Sequence, residues 1–140
     1  MGSFRVLLVD DEEDFTDTLV SRLKKRQIAV EGVYSGQQAL AHLETHPVDV
    51  VVLDVRMQDM DGIETLKEIK ARYPLIEVLM LTGHANMEVA IEGMQLGAFD
   101  YLMKPIEIDQ LLYKIQDAYQ KKSIQDMKIE RQRQSSKRSE

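Results

Sequence analysis

Hydrophobic residues along this 140-residue chain fall into two alternating patterns. Short, mostly apolar runs at Phe4 to Val9, Ile28 to Tyr34, Val48 to Leu53, Ile76 to Leu81 and Phe99 to Met103 read as strands, the second thinned by Glu31 and Gly32. Between them the apolar positions return at helical spacing. Phe15, Leu19 and Leu23 set one stripe, and Ala39, Leu40 and Leu43 set another, with Ser35 placed to cap that helix and His46-Pro47 to stop it. Ile63, Leu66, Ile69 and Lys70 predict a third helix ended by Tyr73-Pro74. A fourth is expected from Met87 to about Leu96, with Gly97 where a helix C-terminal glycine belongs, and a last one from Ile108 to Tyr119.

Five strands alternating with five helices imply parallel pairing, because each strand must return to the sheet through a crossover. Both faces of such a sheet are covered, so its strands read as continuous aliphatic runs. The expected fold is therefore α/β, a doubly wound five-stranded parallel sheet flanked by five helices. In such sheets the working crevice lies beyond the carboxyl ends of the strands. The residues standing there are Asp10 and Asp11 after the first run, Asp54 after the third, Thr82 after the fourth and Lys104-Pro105 after the fifth.

Composition narrows the setting. The chain is 44% hydrophobic and 30% charged, with no apolar run near the roughly 20 residues of a membrane span. It lacks cysteine, which removes disulfides and thiolate metal sites, and a cytoplasmic setting is expected. The net charge of −6 is uneven. Residues 121–140 hold seven Lys and Arg against Asp126, Glu130 and Glu140, a net of +4, which leaves −10 on residues 1–120. Direct nucleic-acid binding by so acidic a body is not expected.

Carboxylates gathered at one rim repel one another unless a cation sits among them. With His42, His46 and His84 elsewhere in the pattern, the ligands would be oxygen only, which favours Mg2+. Metal, carboxylate, lysine and hydroxyl together suggest phosphoryl transfer: Asp54 as nucleophile, Lys104 as a compensating charge, Thr82 as a donor to a phosphoryl oxygen.

On Asp10-Asp11 after VLLV, Asp54 in LDVRMQDMDG, Thr82 in MLTG and Lys104-Pro105 after AFDYLM, the chain resembles the receiver domain of bacterial two-component response regulators over residues 4–120. The resemblance implies a flavodoxin-like fold and a phosphoacceptor switch that takes its phosphoryl group from a sensor histidine kinase or phosphotransfer protein. It implies Asp11, Asp54 and the Arg56 backbone carbonyl as Mg2+ ligands, with Asp10 acting through water. It also implies a cis Lys104-Pro105 bond, a Thr82–Tyr101 switch pair, and a partner or homodimer surface over residues 87–119 in which Glu92, Asp100, Lys114 and Asp117 form ion pairs.

Other readings stand beside these. Tyr101 also fits plain strand packing, and the methionines, Met57, Met60, Met80, Met94 and Met103 among them, fit core filling. Asp61-Gly62 reads as a helix start and Glu12 to Asp14 as an acidic one. The chain departs from the family pattern at Gln58, where many receivers have proline. Arg56 and His84, beside the path of the hydrolytic water in the family, are expected to slow phosphate loss. Residues 121–140 read as a basic polar tail or a linker helix extension with no effector domain. The chain is then either a single-domain regulator or the N-terminal fragment of a transcriptional activator. A phosphorylation-independent binding module and a magnesium-dependent hydrolase are the alternatives, the second disfavoured because Arg56 stands where such hydrolases place an acid.

Overall fold

The computed structural model describes residues 4–56, 62–83 and 87–139. In chain order the elements are β1 (Arg5–Val9), α1 (Glu13–Lys25), β2 (Ala29–Val33), α2 (Gly36–Thr45), β3 (Val50–Asp54), α3 (Gly62–Arg72), β4 (Glu77–Thr82), α4 (Met87–Gln95), β5 (Asp100–Met103) and α5 (Ile108–Ser139). The strands form one parallel sheet in the order β2-β1-β3-β4-β5. The chain therefore builds the doubly wound α/β fold that its alternating pattern predicts.

Each apolar run divides its side chains between two cores, because successive strand residues point to opposite faces. Leu7, Val9, Val51, Leu53, Val78 and Met80 join Leu40, Leu43, Leu66, Ile69 and Ala90 under α2, α3 and α4. Val6, Leu8, Val50, Val52, Leu79 and Leu81 join Leu19, Leu23, Leu111, Ile115 and Ala118 under α1 and α5. Both faces are dry, so no polar residue marks the alternation along Val50 to Leu53 of β3 or Val78 to Leu81 of β4.

Local signals hold where side-chain chemistry sets them. The Ser35 hydroxyl accepts the Gln38 N–H at 3.0 Å and starts α2. Gly97 closes α4 at φ 106°, a conformation that side chains with a Cβ rarely adopt. The apolar stripe of α5 does end near Tyr119, which stacks on Phe4 at 4.4 Å, yet the helix runs on to Ser139. No Gly or Pro interrupts that extension, and pairs one turn apart, Lys122 with Asp126 at 2.8 Å and Arg133 with Glu130 at 3.5 Å, lie along it. No helix among the described residues is long and apolar enough to cross a membrane.

Met80 lies in the core, but Met94 is exposed on α4, so core filling does not describe all the methionines. Gln58, Met57, Met60, Asp61 and His84 lie outside the described residues.

Candidate functional site

The carboxyl ends of β1, β3, β4 and β5 meet at one rim, held there by backbone bonds that outlast the strands. Val55 N–H donates to Leu81 O at 3.1 Å, and Lys104 N–H donates to Thr82 O at 2.8 Å. The Lys104-Pro105 peptide is cis.

Asp10 is fully buried and doubly engaged. Its Oδ1 accepts the Glu12 N–H at 3.0 Å and its Oδ2 accepts the Lys104 ammonium at 2.9 Å. The Thr16 hydroxyl ties this turn to the start of α1 by donating to Asp10 O at 2.8 Å and Glu12 O at 3.0 Å. Asp54 ends β3 with 6% of its surface exposed, and its Oδ1 accepts the Arg56 N–H at 3.2 Å. Ligand oxygens of Asp10, Asp11 and Asp54 lie within 4.8 Å of one another.

Lys104 reaches into this group. Its Nζ lies 2.9 Å from Asp10, 3.5 Å from Glu12 and 3.7 Å from Asp54, and it stands 4.6 Å from the centre of the Phe15 ring. Burial alone would lower the lysine's pKa, but Asp10, Asp54 and Glu12 outweigh it and the value is raised. For Asp54 the balance goes the other way. Burial and then the Asp10 charge push its carboxyl up to about 7, although Lys104 and the Arg56 N–H oppose them. The site therefore holds more negative charge than one ammonium can settle. A divalent cation with oxygen ligands fits such a donor set, because it favours the charged form of Asp54 against burial and against the Asp10 charge.

Thr82 is buried at the end of β4 and its hydroxyl donates to Gly83 O at 3.1 Å. It stands opposite Met103 in the register, whereas Tyr101 stands opposite Met80, so the two expected switch residues occupy adjacent strands two positions apart. Tyr101 is half-buried against the core under α2, α3 and α4. The Arg56 side chain is exposed. Asp100 pairs with Lys114 inside the same chain.

Two contributors escape the strand-end reading. Gly62 opens α3 so close to the acceptor strand that a Cβ there would meet Val55 Cα at 2.4 Å and Asp54 O at 2.5 Å; a glycine in a first helical turn was the available signal. Phe15 has the periodicity of a core residue, and nothing in that periodicity points to Lys104.

The family model described as the response regulator receiver domain matches residues 6–116. The chain belongs to that family. It is 43% identical over 110 residues to the transcriptional regulatory protein ZraR of Salmonella typhimurium, covering 79% of this chain and 25% of that protein. It is 38% identical over 128 residues to the regulatory protein AtoC of Escherichia coli K12, covering 90% of this chain and 27% of the relative. The chain thus spans about a quarter of the length of these curated relatives. Among solved structures, the receiver domain of NtrX from Brucella abortus superposes with a TM-score of 0.78 at 32% identity, covering 82% of this chain and 98% of that one.

Proposed function

We propose that this receiver is a phosphoacceptor switch: Asp54 takes a phosphoryl group from a phosphohistidine on a sensor histidine kinase or phosphotransfer protein. The observation that carries the reading is the convergence of Asp10, Asp11, Asp54 and Lys104 at one strand-end rim, with the Lys104 ammonium 2.9 Å from Asp10 and 3.7 Å from Asp54.

An oxygen of Asp54 attacks phosphorus, the bond from phosphorus to the histidine nitrogen breaks, and the histidine keeps the electron pair. Asp11, Asp54 and the Arg56 carbonyl, with Asp10 through water, would hold Mg2+, which would supply charge neutralisation at the phosphoryl oxygens. Lys104 shifts its ammonium from Asp10 toward the new phosphoryl oxygens. The Thr82 hydroxyl gives up its bond to Gly83 O and donates to a phosphoryl oxygen, and Tyr101 on the neighbouring strand turns inward behind it. Phosphorylation adds up to about two negative charges at the rim, enough to bias a local two-state surface. The responding surface is residues 87–119, where a partner or a second copy docks. Arg56 slows the loss of phosphate by crowding or binding the attacking water, a role shared by His84, which lies outside the described residues.

Residues 1–120 act as the receiver and residues 121–140 as a linker helix extension. A phosphohistidine donor of this kind sets the exchange in the cytoplasm. The relatives' names as regulatory and transcriptional regulatory proteins support transcription as the process governed.

Acetyl phosphate with MgCl2 tests the reading. One phosphoryl group, detected by intact mass and located at Asp54, is expected in the wild type and absent in Asp54→Asn. A modified residue elsewhere, or no modification in the wild type, overturns it.

A further inference from the structure

Lys104 has a neighbour that the phosphoacceptor reading leaves unused. Its ammonium stands 4.6 Å from the centre of the Phe15 ring while Asp10, Glu12 and Asp54 flank it at 2.9, 3.5 and 3.7 Å. Phe15 belongs to the apolar stripe of α1, but it does not share the stripe's burial. Leu19 and Leu23, one and two turns on, are 5% and 0% exposed, whereas Phe15 is only half-buried, at the end of the helix nearest the rim. The turn that fixes Asp10 also fixes Phe15, because the next residue, Thr16, is the one whose hydroxyl is bonded to Asp10 O and Glu12 O.

Resting on the phosphoacceptor reading, we propose that Phe15 is a positioning residue for Lys104 in phosphoryl transfer. Lys104 must leave a 2.9 Å bond to Asp10 and reach oxygens that arrive on Asp54. A carboxylate holds an ammonium in a few directions, whereas the face of an aromatic ring attracts it without directional bonds. The Phe15 face thus supports the ammonium along the whole passage from Asp10 to Asp54. It also shields one side of the lysine from water, where screening would weaken its charge. Core packing alone asks only for an apolar side chain at this position. The proposed role asks for an aromatic one.

That difference sets the test. Phe15→Leu keeps an apolar side chain and removes the aromatic face; Phe15→Tyr keeps the face. Rates of phosphorylation by acetyl phosphate are measured at saturating MgCl2, with the Mg2+ dissociation constant obtained separately by calorimetry. Cation–π contacts correspond to roughly 2- to 30-fold effects. Phe15→Leu is expected to slow phosphorylation about 3- to 10-fold with Mg2+ affinity unchanged, and Phe15→Tyr to return the rate to within about twofold of wild type. Leu and Tyr variants with equal rates, fast or slow, overturn the proposal. Urea unfolding of Phe15→Leu in wild-type and Lys104→Met backgrounds supplies a readout independent of phosphate. The leucine variant is expected to lower stability less once Lys104 is gone, and equal losses in both backgrounds overturn the contact itself. A wild type that takes no phosphate sinks the phosphoacceptor reading and the transfer role with it, while the unfolding cycle still judges the contact. A wild type that is phosphorylated at the leucine variant's rate sinks only the role of Phe15.

Discussion

The two rims of the sheet hold the same kinds of side chain and put them to opposite ends. At the carboxyl rim, Asp10, Asp11 and Asp54 cluster beside Lys104, and Asp54 is left protonatable near neutrality, at about 7. At the amino rim, Glu77 is 3% exposed between Lys70 at 3.6 Å and Lys121 at 3.1 Å. Beside it Asp49 accepts the Arg5 N–H at 2.9 Å and meets Lys122 at 3.0 Å, and Lys122 also binds Asp126 at 2.8 Å. At each rim the central acid is buried. The ratio of acid to ammonium decides whether a rim is a lock or a receptive site. The locked rim pins the start of the α5 extension to β3 and β4; the receptive rim is short of positive charge, which a metal ion can supply.

The pH dependence of stability is the largest expected difference. Burial, then Asp10, holds the Asp54 carboxyl at about 7 against its ordinary 3.8, so between those values the folded chain keeps a proton that the unfolded chain has released. Stability of the metal-free protein therefore falls as pH rises through this window and stays lowered above it, by up to about 4 kcal/mol at full expression. Urea unfolding from pH 4 to 8 should follow that slope in the wild type and lose most of it in Asp54→Asn.

Removing the central acid of the locked rim should do the reverse of neutralising Asp54. Glu77→Ala removes the buried acid between Lys70, whose ammonium keeps its bonds to Pro74 O and Ile76 O, and the half-exposed Lys121, and a loss of up to about 3 kcal/mol is expected in urea denaturation. A change under about 0.5 kcal/mol would erase the contrast between the rims. Glu77 Oε1 accepts no hydrogen bond among the described residues, so the pairing is charge more than hydrogen bond.

Metal addition separates the rims next. At a Mg2+ concentration about 100 times the dissociation constant, the gain in stability is about 2.7 kcal/mol, removed by EDTA. It should be larger at pH 8 than at pH 5, where protons compete for Asp54, and it should disappear in Asp11→Asn. The smallest effect is on the helix extension. Lys122→Met frees α5 from Asp49 and Asp126, a change of about 1 kcal/mol, read as roughly fivefold faster amide exchange over residues 123–136.

Much of this molecule is legible in one dimension where a local rule applies. Ser35 caps α2 and Gly97 closes α4 because hydroxyl and backbone chemistry act within a few residues. Asp10, Asp54, Thr82 and Lys104 fall at one rim on the sequence pattern alone, since parallel strands joined by crossovers share a direction. The apolar stripe of the last helix ends at Tyr119 and leaves a polar tail and a helix extension both open for residues 121–140; local pairing and the absence of a breaker carry the helix to Ser139.

The sequence by itself determined the order of elements, the parallel sheet and the set of residues at its carboxyl rim, because periodicity and chain direction are properties of the strand of residues alone. Tertiary structure decided which of those residues touch. It turned Phe15 toward Lys104, pressed Gly62 against Asp54 and enclosed Glu77 between two lysines, because such contacts depend on how helices are rotated and seated on the sheet, and that emerges only when both cores close together.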